Sequence, residues 1–213
     1  MKLLHQLGRH ARIVSLTSPA ETEGLVQVFE RIALDLGWQP GEAIRANQPA
    51  AQHMAVTVGE SVVGGLQVVL GNRGAVLPYR LVWPEVELPD VAATAHVTIL
   101  ALRPEYRWRF DLFWPLCVEL WRLCRTGGIR TILLETAPPT LRLYRRLGWP
   151  LEIIGSLRPH WGEDCYLCRM DVRGVAALTA KAERSQTYCM LVQQAYRDGA
   201  AECAMEQPVE TAA

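Results

Sequence analysis

Three stretches of the sequence carry side chains that suit acid–base chemistry. His96 lies near the start of the apolar run "AHVTILALRP", Glu135 and Thr136 end the run "IRTILLETAPP", and Tyr144 lies in "LRLYRRLGW". A histidine is the side chain whose ordinary pKa suits accepting a proton from an amine near neutral pH. Polar residues that end a strand lie on the side where ligands enter open α/β sheets. These four residues are therefore candidates for a reactive site.

Each of these candidates also has a purely structural explanation. His96 would be a strand-end histidine whose ring nitrogens are already hydrogen-bonded, and Glu135 and Thr136 would cap the helix that begins in "APPT". Tyr144 would be a core tyrosine with its hydroxyl at the surface. The elements around these residues must therefore be considered before a role is assigned.

A C-x-x-C pair raises the question of a metal site. Cys165 and Cys168 lie in "EDCYLCRMDV", close to His160. The stretch has a strand pattern, and a strand sends residues three positions apart to opposite faces. The sequence has no second pair at zinc-ligand spacing. We therefore predict no metal site, and we interpret the two residues as reduced cysteines of the core or sheet.

Composition narrows the class of protein. Lys and Arg together number 22, as do Asp and Glu, so no overall field favours nucleic acid or an anionic membrane. No apolar run reaches the roughly 18 to 20 residues that span a bilayer. The N-terminal stretch "MKLLHQLGRHARIVSL" is interrupted by polar residues and is not a secretory signal. We expect a cytoplasmic protein with no nucleic-acid partner and no membrane span.

The first half of the chain predicts a short strand, a helix and a hairpin. "ARIVSL" is the strand, and Ser18-Pro19-Ala20-Glu21 is a capping box that starts a helix from about Pro19 to Leu36. Two strands, "HMAVTVGE" and "VVGGLQVVLG", meet at Gly59-Glu60 in a hairpin. Three prolines in "LPYRLVWPEVELPD" predict an ordered connection on the surface.

The second half predicts alternating strands and helices. The strand "AHVTILALRP" precedes a long helix, "RFDLFWPLCVELWRLCRTGG", which Pro115 should break near its start. The strand "IRTILLETAPP" and the helix "TLRLYRRLGW" follow, and Gly148 can adopt the left-handed conformation that ends a helix. Strands at Leu151 to Ile154 and in "EDCYLCRMDV" come next.

These elements predict an α/β or α+β protein with a mixed central sheet covered by helices. At 213 residues and 50% hydrophobic content the chain can bury a full core. We expect one domain over residues 1–172. Residues 173–213 are predicted to form an appended C-terminal helix and a frayed tail.

The order of the motifs resembles a known superfamily. "LYRRLGW" is similar to the helix-to-strand signature of the GCN5-related N-acetyltransferases (GNAT). "FERIALDLGW", "LPYRLVWPEVELP", "VTILALRPEYR" and "RPHWGEDCYLCRMDV" resemble, in order and spacing, the acyl-homoserine-lactone synthases and long-chain N-acyl amino acid synthases of that superfamily. The resemblance implies a GNAT-like mixed central sheet with helices on both faces. It also implies that Tyr144 acts as a general acid that protonates the departing thiol.

Departures from the synthase pattern fall on the acceptor side. Charged and aromatic residues of the synthases are replaced here at about Val28, Ile32, Asn47, Ala50, Gln67, His96 and Ile99. In those synthases the acidic and arginine positions bind S-adenosylmethionine, whose charges a neutral set attracts weakly. The resemblance therefore implies another small amine as acceptor. Its side of the site would contain Asn47, Gln67, Glu135 and Thr136, with His96 as the base.

The same resemblance implies that an acyl thioester binds along the central strand. Backbone groups of the strand would hold the pantetheine arm like an added strand, and they belong to Ile99, Leu100, Ala101 and Leu102. Arg103, Arg107 and Arg109 would meet the phosphate, because "RPEYRWRFD" has no glycines to cradle a pyrophosphate. This favours carrier-protein phosphopantetheine over coenzyme A. The alternative is that the three arginines lie on a solvated turn.

Apolar residues around these elements could line an acyl tunnel between sheet and helices. The candidates are Trp114, Leu120, Trp121, Leu134, Leu143, Trp149 and Ile153. Each of them could equally be an ordinary core residue.

The sequence thus favours an N-acyltransferase that moves a fatty acyl group from an acyl carrier protein or acyl-coenzyme A to a small amine, with no tightly bound cofactor. Two alternatives stay open. One is an acetyltransferase that uses short acyl-coenzyme A, and the other is a non-catalytic protein that binds an acyl group or a carrier protein.

Overall fold

The computed structural model describes residues 1–7, 10–40, 42–47, 49–107, 109–146 and 148–172. In this part of the chain eight strands form one sheet, and four α-helices accompany it. The strands are β1 (Lys2–Leu7), β2 (Ala11–Leu16), β3 (Ala51–Val58), β4 (Ser61–Leu70), β5 (Thr94–Leu102), β6 (Thr131–Thr136), β7 (Glu152–His160) and β8 (Glu163–Asp171). The helices are α1 (Pro19–Leu36), α2 (Ala43–Ala46), α3 (Phe110–Thr126) and α4 (Pro138–Arg146).

The sheet is antiparallel except at its centre. Its strand order is β1-β2-β3-β4-β5-β6-β8-β7, and β5 and β6 are its parallel pair. The chain reaches β6 from β5 through α3, which is the crossover that a parallel pair requires. The central strand lies between an antiparallel neighbour, β4, and a parallel one, β6.

Helix α1 has the ends that the sequence predicts. The Ser18 side chain accepts a hydrogen bond from the Glu21 backbone, and the Glu21 carboxylate accepts one from the Ser18 backbone, so the capping box is complete. Gly37 ends the helix in the left-handed region at φ 72°. The predicted helix from Pro19 to Leu36 is therefore confirmed.

Helices cover both faces of the sheet. On one face, α3 and α4 bury residues such as Leu116 and Leu141 against Val97 and Leu134. On the other face, α1 buries Phe29 with neighbours that include Ala55 and Ile99. The predicted mixed sheet with helices on both faces is confirmed.

The connection between β4 and β5 is more buried than its prolines suggest. Tyr79 and Trp83 are fully buried and join a cluster on the α1 face with Leu133 and Leu167. The Trp83 Nε1 donates to the Ser156 carbonyl at 2.7 Å. The prediction of a surface connection is correct only for the flanking residues, because its aromatic side chains supply the core that covers this end of the sheet.

The structure adds one strand that the sequence does not predict and corrects one helix prediction. Strand β1 was not predicted, yet it pairs with β2 at the edge of the sheet. Pro115 was expected to break the long helix, but α3 continues through it from Phe110 to Thr126. A proline removes one helical hydrogen bond, and the burial of Leu112, Leu116 and Trp121 on the sheet holds the helix together across that loss.

The predicted C-terminal helix and tail at 173–213 lie outside the described residues, so the division at residue 172 stays a prediction. No helix among the described residues is long and apolar enough to cross a membrane.

Candidate active site

A cleft opens where the two parallel central strands separate. Strands β5 and β6 pair from Thr94 with Thr131 to Val97 with Leu134, and the pairing then ends although both strands continue. A cavity of about 320 Å³ occupies this gap. Since its lining includes residues of both the α3–α4 face and the α1 face, the cavity passes through the sheet. This volume lies in the range of small-molecule sites.

A β-bulge at Thr98 sets the start of the cleft. Gln67 pairs with Ile99 and Val68 pairs with Val97, so Thr98 has no opposite residue on β4. The Thr98 hydroxyl donates to the Gln67 Oε1 at 2.8 Å. Beyond the bulge, the backbone of β5 pairs with β4 on one side and faces the cleft on the other. Such a bulge bends the strand and turns its backbone groups toward the gap.

The bulge rests on a buried polar network. The Gln67 Nε2 lies 3.0 Å from the Ile44 carbonyl and 3.1 Å from the His53 Nε2. The Gln67 amide donates to the carbonyl, and its second N–H makes the His53 Nε2 an acceptor. Burial lowers the pKa of His53 to about 4, so this imidazole is neutral at pH 7. Gln67, predicted on the acceptor side, therefore supports Thr98 from below and does not line the cavity.

Glu135 lies between two histidines at the end of β6. Its Oε2 is 2.9 Å from the His160 Nε2, and its Oε1 is 3.4 Å from the His96 Nε2. Burial alone would raise the pKa of Glu135, but the two imidazoles outweigh burial and lower it to about 2. A carboxylate only accepts hydrogen bonds, so the His160 Nε2–H donates to Glu135, and Nδ1 is the ring nitrogen that could accept a proton.

The placement of His96 disagrees with the predicted role as base. Its side chain is fully buried and does not line the cavity. The Nδ1 accepts a hydrogen bond from the Tyr79 backbone N at 3.2 Å, so the proton of the neutral ring is on Nε2, which faces Glu135. Its lone pair is therefore occupied by the protein. His160 does line the cavity. Its Nε2 faces Glu135, so its Nδ1 is not used in that contact.

Tyr144 lines the cavity from α4, in an aromatic stack on the α3–α4 face. Its ring lies 4.4 Å from the Trp149 ring at an interplanar angle of 19° and 6.3 Å from the Phe113 ring. Burial raises the pKa of Tyr144, so the phenol keeps its proton at working pH. Among the described residues, the buried Trp149 Nε1 has no hydrogen-bond partner. A ligand oxygen would satisfy it.

Some residues of the predicted donor segment line the cavity, and others do not. Ile99, Leu100, Ala101, Leu102 and Arg107 line it. Arg103 and Arg109 do not, and Arg109 is paired with Asp111 through two contacts of 2.8 and 2.6 Å. The Asp111 carboxylate also places a negative charge in the first turn of α3. That charge makes this helix start unfavourable for a pyrophosphate.

The predicted tunnel residues fall into three groups. Leu120, Leu134, Leu143 and Trp149 line the cavity. Trp114 and Trp121 are buried in the core beside it without reaching it. Ile153 is 39% exposed on the edge strand β7, so its placement does not suit an acyl tunnel.

Some of the predicted acceptor residues line the cavity, and others do not. Glu135 and Thr136 line the cavity, whereas Asn47 ends α2 and does not. Thr136 Oγ1 lies 3.3 Å from the Cys168 Sγ. Cys168 packs in the core of the α3–α4 face and Cys165 in that of the opposite face, which confirms that the C-x-x-C side chains diverge. No cluster of His, Cys, Asp or Glu within the described ranges could hold a metal.

The cavity residues that sequence analysis does not identify include Trp38, His160, Trp161 and Glu163. Trp38 follows α1, and the other three form the tight turn between β7 and β8. The turn touches the end of α1, since the Gln39 backbone N donates to the Trp161 carbonyl at 2.8 Å. His160 was considered only as a metal ligand beside the cysteines. The stretch "HWGE" itself, with two aromatic side chains and a carboxylate at a turn, was the signal that could have found this site.

The fold is shared with several known acyltransferases. FeeM, an N-acyl amino acid synthase from uncultured soil microbes, matches with a TM-score of 0.64 at 17% identity, over 78% of this chain and 95% of that chain. The acyl-homoserine-lactone synthase LasI matches with a TM-score of 0.62 at 14% identity, over 80% of this chain and 95% of that chain. The coenzyme A-dependent acyl-homoserine lactone synthase BjaI, solved with S-adenosylmethionine and isopentyl-CoA, matches with a TM-score of 0.58 at 12% identity, over 82% and 89% of the two chains.

No protein-family model matches the sequence, and no curated protein matches it in sequence. At identities of 12 to 17%, the structural likenesses show the fold. The chain has the fold of these synthases, as its sequence resemblance predicted. The structural neighbours named above are acyl-transferring enzymes.

Proposed function

We propose that this protein is an N-acyltransferase that moves a fatty acyl group from a pantetheine thioester to a small amine. The observation that carries the proposal is the cleft itself, which opens between β5 and β6 and is lined by Tyr144 on one face and by the His160–Glu135 pair on the other. A proton donor and a proton acceptor thus border the same cavity from opposite faces of the sheet. Direct transfer between two bound substrates needs such an arrangement.

The α3–α4 side of the cleft suits the acyl thioester. Its lining is aromatic and aliphatic, with Phe113, Leu120, Leu143 and Trp149 among its members. The β5 backbone beyond Thr98 offers unpaired groups to a pantetheine arm, which resembles an added strand. Arg107 lines the cavity on the segment after β5 and can meet the phosphate. The paired Arg109 makes a weaker candidate for that contact.

The reaction follows from these positions. The His160 Nδ1 takes one proton from the bound ammonium, and the neutral amine nitrogen then forms a bond to the thioester carbonyl carbon. The nitrogen loses its second proton to solvent. Backbone N–H groups of β5 beside the bulge stabilise the oxygen of the tetrahedral intermediate. The C–S bond then breaks, and the thiolate takes the phenol proton of Tyr144. The imidazolium releases its proton, and Tyr144 is reprotonated. The products are an amide and a free thiol.

Glu135 orients the base in this scheme. It accepts the Nε2–H of His160 and stabilises the imidazolium that forms on proton transfer. Because its pKa lies well below that of a free carboxyl group, Glu135 remains ionised and is itself a weak base. The His96 Nε2 lies 3.4 Å from the other carboxylate oxygen, and among the described residues it has no hydrogen-bond partner. The predicted set of His96 and Tyr144 is thus replaced by His160 and Tyr144.

A thioester comparison tests the proposal against its two alternatives. The purified protein would be given dodecanoyl and acetyl thioesters, each on coenzyme A and on acyl carrier protein, with a mixture of amines. We expect dodecanoyl amides and free thiol in equal amounts, with the dodecanoyl donor preferred at least tenfold by kcat/KM. An acetyl preference would favour a short-chain acetyltransferase. Tight thioester binding without thiol release would favour a non-catalytic binder.

A further inference from the structure

The acceptor end of the cavity is rich in aromatic and acidic side chains. Its residues come from the end of α1, the end of β6 and the β7–β8 turn: Trp38, Glu135, His160, Trp161 and Glu163. The Trp38 and Trp161 ring centroids are 6.4 Å apart, and His160 stacks on Trp161 at 5.0 Å. The Trp38 Nε1 donates to the Glu163 carboxylate. This end of the cavity therefore combines broad aromatic surfaces with two carboxylates.

The backbone at Trp161 is unfavourable for a tryptophan. Trp161 has φ 52° and the following Gly162 has φ 90°, and His160 pairs with Glu163 across them. Two positive φ values in a two-residue hairpin are typical of a type I′ turn, where Asn-Gly is the preferred pair. A tryptophan in the left-handed region is strained, because its Cβ comes too close to the following carbonyl oxygen. Strain of this kind concentrates at functional sites, and Trp161 lines the cavity.

The charges at this end select against a substrate carboxylate. Glu135 and Glu163 are the acidic side chains of the lining, and His160 is turned toward Glu135. Among the described residues, Arg107 is the arginine or lysine that lines the cavity, and it lies on the segment after β5, where the thioester is proposed to bind. A zwitterionic amino acid would place its carboxylate beside two others without a cation to pair with.

We infer that the acceptor is an aromatic or broad apolar amine without a carboxylate group, held with its ring against Trp38 and Trp161 and its ammonium near Glu163 and Glu135. This inference rests on the proposed acyltransfer and specifies its substrate class. A cation near an indole face and a carboxylate gains from both contacts. The amine then reaches His160, which removes its proton before attack. S-adenosylmethionine and amino acids both carry the carboxylate that this end disfavours.

Matched acceptor pairs test this class. Tyramine and tyrosine, and tryptamine and tryptophan, differ by one carboxylate and would be compared with the same dodecanoyl thioester. We expect the amines to be preferred at least tenfold in kcat/KM, mostly through KM. Amino acids acylated as well as the amines, or better, would overturn the substrate class and leave the acyltransfer proposal intact.

A binding measurement separates the two proposals. Titration of quenching of tryptophan fluorescence by 4-nitrophenethylamine and by 4-nitrophenylalanine needs no turnover. Tighter binding of the amine by tenfold supports the acceptor class even where no amide forms, in which case only the transfer proposal fails. Equal binding, absent binding or tighter binding of the amino acid overturns the acceptor class.

Two substitutions localise the effect. Glu163→Arg supplies a cation and is expected to reverse the preference toward the amino acid, whereas Glu152→Gln, on an exposed residue paired with Arg169, leaves it unchanged. Trp161→Asn creates the preferred Asn-Gly turn and should keep the melting temperature within a few degrees while weakening amine binding at least fivefold. Unchanged preference in Glu163→Arg together with unchanged binding in Trp161→Asn would overturn the assignment of this site.

Discussion

The two ends of the cleft differ in both composition and construction. The donor end is formed by α3, α4 and β5, and most of its side chains, such as Phe113 and Leu143, are apolar. The acceptor end is formed by the α1 terminus, the end of β6 and a strained turn, and it contains Glu135, Glu163 and His160. In the proposed reaction, one end receives a neutral apolar chain and the other an organic cation. Each end can therefore be altered separately.

The largest effect is expected from removing the base at the acceptor end. In His160→Gln, the side-chain amide can still donate to Glu135 but has no basic nitrogen, so turnover should fall roughly 100-fold or more. The loss should shrink at high pH, where more of the amine is already deprotonated. His10→Gln, at an exposed position between β1 and β2, is the control. Steady-state rates that match wild type at every pH would remove His160 from the mechanism.

A smaller effect is expected from the arginines of the donor end. Arg107→Ala should raise the KM for the thioester roughly tenfold, the equivalent of one charge-assisted hydrogen bond, and reduce its salt sensitivity. Arg109→Ala should change KM less than twofold, because Asp111 already pairs with Arg109. Donor saturation curves at low and high salt measure both. Equal effects of the two substitutions would show that the cavity lining does not identify the phosphate contact.

The smallest effect is expected on the pH dependence of folding stability, through His53 in the polar network that supports the bulge. Because the folded pKa of His53 is about 4, the unfolded chain binds a proton between its ordinary pKa of about 6.5 and that value, and the folded chain does not. The contribution of His53 to the free energy of unfolding is therefore fully present above pH 6.5 and is lost as the pH falls toward 4.

His53→Gln removes this titration while keeping an acceptor for Gln67. Between pH 7 and pH 5, wild type should lose about 1 to 2 kcal/mol more of its unfolding free energy than the variant. Urea denaturation at the two pH values measures this difference. Parallel losses in wild type and variant would show that His53 does not titrate on unfolding.

The donor end could be predicted because its information is local. "LYRRLGW" places Tyr144 one turn before a helix end and next to Trp149 within six residues, and the run "VTILALRP" marks the central strand. The capping box at Ser18 likewise defines the start of α1 without reference to the rest of the chain. Periodicity and end signals act over one or two turns, so a single sequence contains them in full.

The acceptor end could not be predicted because its residues meet only after folding. Trp38 and Glu163 are 125 positions apart and hydrogen-bonded. His160 faces Glu135 only because β7 and β8 extend past the end of β6. The roles of His96 and His160 depend on which ring nitrogen the protein occupies, and spacing does not encode that. The three prolines between β4 and β5 predict a surface segment. The segment is instead held against the sheet by the burial of Tyr79 and Trp83.

The measurement that tests the central claim most directly is a single-turnover comparison of Tyr144→Phe with wild type. The protein is mixed in excess with dodecanoyl thioester and tyramine, and thiol and amide are quantified together. Tyr166→Phe, a partly buried tyrosine on β8 that does not line the cavity, is the control. Loss of a hydroxyl costs about 1 kcal/mol of stability, so melting should stay within a few degrees.

We predict that wild type and Tyr166→Phe form amide and thiol in equal amounts. Tyr144→Phe should bind the thioester normally but react roughly 100-fold more slowly, with a loss that diminishes as pH rises because a thiolate can leave unaided. If Tyr144→Phe forms amide at the wild-type rate at every pH, the phenol is not the proton donor. If wild type forms no amide with tyramine or with the mixture of amines, the cleft is not an acyltransferase site.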